Sequence, residues 1–115
     1  GKYGPALDKL HTLFKMQQEP IAVLGAVGFQ YRLMAAARTV ADRGQGIGEL
    51  MKLTSVREYP ARKAMDACRR FTPEFYKKAM ELILETDYRM KTSFDDQERL
   101  LEVLLLALAR EAHRV

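Results

Sequence analysis

The stretch FTPEFYKKAMELILETDYRMKT, residues 71–92, decides how this chain is read. It opens with a complete helix start. Thr72 stands where an N-cap hydroxyl accepts a backbone N–H, Pro73 fits the first helical position, and Glu74 suits the positive end of the helix dipole. Phe71 is placed to staple onto Tyr76 one turn in. Beyond that start, Phe75, Ala79, Leu82, Ile83, Thr86 and Met90 recur at helical spacing and predict one buried stripe.

The other three prolines repeat the pattern. Pro5, Pro20 and Pro60 each stand just before a segment with helical apolar spacing. A helix is predicted over 5–18, with Leu7, Leu10, Leu13 and Phe14 on one stripe. The next, over 20–43, is apolar almost all round in its first half, which predicts a central helix packed on several sides and stopped by Gly44. RGQGIG (43–48) is a turn into a short helix at 47–53. A helix over 60–70 carries Ala61, Ala64, Met65, Cys68 and Phe71 on one face, and the last starts near Ser93 or Asp95 and continues through LLEVLLLALA.

Composition agrees. The 115 residues include 15 Leu, 14 Ala and 6 Met, whereas Val and Ile together supply 9, a bias toward helix formers and against strands. The expectation is an all-α, compact bundle of five to six helices forming a single domain over 1–115. The chain opens Gly-Lys-Tyr-Gly without an initiating Met or a signal peptide, and reads as a domain excised from a longer protein. No stretch reaches the roughly 18 uncharged apolar residues of a bilayer span, and the longest candidates, 21–31 and 103–109, read as core helices.

The residues predict no catalytic centre, no cofactor and no metal. Cys68 is the single cysteine, so no internal disulfide forms and a small core residue is the simplest role. His11 and His113 lie at opposite ends without a further ligand at zinc spacing. Gly44, Gly46 and Gly48 follow no strand, and GxxxxGK[ST] is absent, so RGQGIG is a connector rather than a phosphate loop. The methionines fall mainly at core-compatible helical positions.

Charge is distributed unevenly. Residues 52–78 hold eight basic and three acidic side chains, a net +5, more than the +4 of the whole chain. Residues 79–102 hold three basic and seven acidic ones, a net −4. Arg62 and Arg69, like Lys63 and Arg70, are seven apart, which places all four on a basic stripe opposite the apolar face. Together with the short helix at 47–53 and the turn after it, this has the outline of a helix-turn-helix, with the stripe on phosphates. Asp66 lies within reach of Arg62 and Arg70 to neutralise part of the stripe. The exposed side of this helix also lacks the Asn, Gln and Ser used on base edges. A second candidate group is internal: Gln30 and Arg32 sit in an apolar helix and Asp87 lies beside the buried stripe, with Lys91 one turn on. Polar groups near a core need partners, so Asp87 is expected to pair with Lys91, Arg32 or both and fix the packing of two helices.

In order, the chain shows Glu19-Pro20, Leu24 and then Gln30-Tyr31-Arg32-Leu33, and Gly44 ahead of IGELMKL. Tyr59-Pro60-Ala61-Arg62-Lys63-Ala64, Arg69-Arg70-Phe71-Thr72, Glu85-Thr86-Asp87, Lys91-Thr92 and a closing LLEVLLLAL follow. This ordered set resembles the C-terminal domain of the delta subunit of bacterial DNA polymerase III, a clamp-loader component, from about residue 6 to 109. Ser93-Phe94 departs from the Gly-containing turn that this family often has there. The resemblance implies a collar module that joins delta to the ATPase and delta-prime subunits. It implies no chemistry of its own, contact with the sliding clamp only through a missing N-terminal part, DNA met indirectly, and a bacterial cytoplasmic setting without a membrane. In such a ring the oppositely charged segments could help set neighbour order. The alternative from the residues is a DNA-binding helix-turn-helix domain using the basic 52–78 segment.

Overall fold

The computed structural model describes residues 19–114. The helix predicted over 5–18 therefore lies outside the described residues. Five α-helices follow in order: α1 (Pro20–Asp42), α2 (Ile47–Thr54), α3 (Glu58–Ala67), α4 (Pro73–Thr92) and α5 (Gln97–Arg114), with a 3-10 turn at Cys68–Arg70 after α3. Among the described residues there is no strand, so the all-α expectation holds.

The element ends follow from local chemistry. Pro20 opens α1, and Gly44 closes it in a left-handed conformation, φ 72°, that suits glycine. The Gly44 N–H donates to the Ala41 carbonyl and the Gln45 N–H to the Val40 carbonyl, each at 3.0 Å, the paired bonds of a Schellman stop. α3 begins at Glu58, two residues before the predicted start, because Pro60 fits anywhere in a first turn whose N–H groups are unpaired. Its α-helical winding ends at Ala67, and the remaining predicted residues form the tighter 3-10 turn. α4 starts where predicted: the Thr72 hydroxyl accepts from the Phe75 N–H at 3.1 Å. Phe71 stacks on Phe75 with centroids 4.3 Å apart and meets Tyr76 edge-on at 6.3 Å, so its closest ring partner is Phe75 rather than the predicted Tyr76. α5 begins at Gln97, later than Ser93 or Asp95. The N-cap is Asp96, whose Oδ1 accepts from the Glu98 and Arg99 N–H groups at 3.0 and 3.4 Å.

Two apolar clusters share α1. Val23 and Leu24 from its first half pack with Phe75, Tyr76, Ala79, Ile83 and Met90 of α4 and Leu101, Leu104 and Leu108 of α5. Leu33, Ala37 and Val40 from its second half pack with Leu50 of α2, Ala61 and Ala64 of α3, and Cys68. Met34 touches both clusters. By length and composition alone α1 would suffice to cross a membrane, but five of its apolar side chains are buried in these clusters and others pack against them. The first half of α1 is less enclosed than predicted: Ile21 and Phe29 are 44% and 47% exposed. Of the stripe predicted on α4, all but the half-buried Leu82 are buried, and Tyr76 joins them.

Candidate functional site

The predicted basic stripe begins on α3 and runs into the 3-10 turn, and three of its four cations are already engaged. Arg62 pairs with Glu58, one turn back, and not with Asp66. The Lys63 ammonium lies 5.5 Å from the centre of the Tyr59 ring. Arg69 turns toward the end of α1, donating to the Ala41 carbonyl at 3.1 Å and lying 3.9 Å from Asp42. Arg70 is exposed and in no ion pair among the described residues.

Asp42 is the meeting point of two arginines. Arg38 Nε donates to both Asp42 oxygens at 3.0 and 3.1 Å, while Arg38 Nη1 donates to the Phe71 carbonyl at 2.8 Å. Close by, the Tyr76 hydroxyl donates to the Cys68 carbonyl at 2.8 Å. These contacts clamp the 3-10 turn between α1 and α4. Burial pushes the Tyr76 phenol up to about 12, with the nearby Cys68 thiol adding to the effect and Arg38 opposing it. Burial likewise raises the Tyr31 phenol and the Cys68 thiol, the latter against the opposing pull of Arg69 and Arg38. A raised thiol in an apolar cluster is unreactive, which fits a packing role for Cys68. Sequence reasoning missed Arg38 and Asp42, and placed Tyr76 only as the staple partner of Phe71. The i,i+4 spacing of Arg38 and Asp42 was the one signal available.

The second predicted group does not form one network. Lys91 donates to Asp87 at 3.0 Å, but both lie on α4 and their side chains are 61% and 36% exposed. Arg32 lies instead along α1: a Cβ placed on Gly28 would stand 3.1 Å from its Nη1. Gln30 lies at a cleft of about 270 Å³ with Tyr31, Met34, Lys63 and Phe71. Among the described residues, no group of three or more His, Cys, Asp or Glu side chains could hold a metal ion.

The family described as "DNA polymerase III delta subunit, C-terminal domain" matches residues 1–108. DNA polymerase III subunit delta of Bacillus subtilis (strain 168) is 30% identical over 109 residues, covering 95% of this chain and 31% of that protein. The solved structure of the Bacillus subtilis DNA clamp loader delta protein superposes with a TM-score of 0.85 at 31% identity, covering 90% of this chain and 31% of that one. The chain thus spans about a third of the length of these relatives. This chain, all-helical over its described residues and matched along nearly its whole length, belongs to the family of C-terminal domains of the DNA polymerase III delta subunit.

Proposed function

We propose that this domain is a non-catalytic assembly module of a bacterial replicative clamp loader, joining the delta subunit to the ATPase and delta-prime subunits. The observation that carries the reading is the backbone likeness to a DNA clamp loader delta protein, TM-score 0.85 over 90% of the chain. In this reading polymerase chemistry belongs to other subunits of the holoenzyme, and the setting is the bacterial cytoplasm. The sliding clamp is met only by parts of the full-length subunit beyond this domain, and DNA only indirectly. Arg62, Lys63, Arg69 and Arg70 supply a partner-facing basic edge, on which Arg70 is in no ion pair among the described residues. The helix-turn-helix reading has less support, because the solved structure that this chain resembles over 90% of its length is that of a clamp loader delta protein.

The test is light scattering on a sizing column, with the full-length subunit mixed with its ATPase and delta-prime subunits. A hetero-complex that survives moderate salt supports assembly, and its weakening by charge reversal at Arg62, Lys63, Arg69 and Arg70 supports the basic edge. Separate peaks together with DNA binding that falls steeply with salt would reverse the reading in favour of phosphate contacts.

A further inference from the structure

A cleft of about 340 Å³ lies between the second half of α1 and the first turns of α4. Its apolar lining is Ala35, Pro73 and Met80, and Arg43 and Lys77 stand on it from the two helices. Both cations are exposed, and neither is in an ion pair among the described residues. Asp42, also on the lining, is already held by Arg38. The cleft therefore offers two uncommitted positive charges beside an apolar surface. The cleft near Gln30 offers one, Lys63, which already lies over Tyr59.

We propose that the α1–α4 cleft receives a carboxylate side chain, carried on an apolar helix surface of a neighbouring clamp-loader subunit. This rests on the assembly reading above and deepens it. A carboxylate answers Arg43 and Lys77 by charge, and the apolar atoms around it cover Ala35, Pro73 and Met80. A nucleic-acid backbone fits less well, because its run of phosphates would leave the apolar lining of Ala35, Pro73 and Met80 uncovered. Charge at such an exposed edge acts on partner choice and on the salt dependence of association.

The experiment compares adjacent lysines in the full-length subunit. Lys77→Glu and Lys78→Glu change net charge equally, but only Lys77 lines the cleft. Binding to the ATPase and delta-prime subunits is measured by titration, with Tm as the check on folding. Lys77→Glu should weaken association by roughly tenfold and Arg43→Glu with Lys77→Glu by more, whereas Lys78→Glu should change it less than about twofold. Zero-length carbodiimide coupling should join Lys77 to a partner carboxylate. Equal effects of the two lysine variants, coupling of Lys77 only within its own chain, or loss of DNA binding alone would overturn the cleft. If the unaltered subunit binds neither partner, the assembly reading itself fails. If it binds them and Arg43→Glu with Lys77→Glu binds as well, only the cleft fails.

Discussion

The Tyr76 hydroxyl reaches the Cys68 carbonyl at 2.8 Å, and this bond crosses the joint between the two halves of the fold. Tyr76 belongs to the cluster built on α4 and α5, Cys68 to the one built on α2 and α3. The last carbonyls of a helix have no partner within it. Here the end of the 3-10 turn is satisfied by side chains from other helices, Tyr76 for Cys68 and Arg38 for Phe71. The bonds that complete the turn also set how the halves meet.

Tyr76→Phe keeps the ring in the cluster and removes the bond, leaving a buried carbonyl without its donor. Chemical denaturation should show a loss of about 1–2 kcal/mol. A loss within error would mean that water replaces the hydroxyl.

The same residue predicts a pH dependence. Its phenol is raised from near 10 to about 12 in the folded chain, so folding favours the neutral form. That contribution is complete below pH 10 and is lost as pH climbs from about 10 through about 12, where the unfolded chain ionises first. The difference in stability between the unaltered chain and Tyr76→Phe should shrink across that window. A constant difference would show that Tyr76 titrates normally.

Arg38 makes bonds in two directions at once, from Nε to Asp42 and from Nη1 to Phe71. A lysine has one donor group and cannot serve both. Arg38→Lys should therefore lose nearly as much stability as Arg38→Met, about 1–2 kcal/mol in a denaturant titration. Full rescue by lysine would show that charge alone is what this position requires.

The Asp87–Lys91 pair lies within α4, on its exposed side, and does not join α4 to α1. Exposed i,i+4 pairs contribute little, so Asp87→Asn should cost less than about 0.5 kcal/mol. A fall in Tm as large as that for a core truncation would restore the expectation that Asp87 holds two helices together.

Two glycines inside α1 should respond differently to alanine. Nothing lies within 4 Å of a Cβ at Gly25, so Gly25→Ala should stabilise the chain by about 1 kcal/mol through helix propensity. At Gly28 the new Cβ meets Arg32 Nη1 at 3.1 Å and Ile83 Cγ2 at 3.5 Å. The arginine tip must move aside, and Gly28→Ala should gain less than Gly25→Ala. Equal gains in thermal melts would show that Arg32 does not rest on Gly28.

What the sequence determined by itself was local. Thr72-Pro73-Glu74 started α4, Gly44 stopped α1, and periodicity identified the buried stripe of α4, because caps and apolar spacing act within a few residues of chain. The family resemblance was legible for the same reason, as an ordered set of such short landmarks. Tertiary structure decided the partners of the charged side chains. Arg62 and Arg69, like Lys63 and Arg70, are seven apart, yet Arg69 goes to Asp42 and Ala41 because packing brings the 3-10 turn against the end of α1, 28 residues from Arg69 at Ala41. Of the two partners expected for Asp87, Lys91 on the same helix takes it, while Arg32 rests over Gly28 on α1. The cleft between Arg43 and Lys77 exists only once α1 and α4 pack side by side. A helix pattern states which face is buried. It does not state which neighbour covers that face, because that depends on the shape left by every other helix.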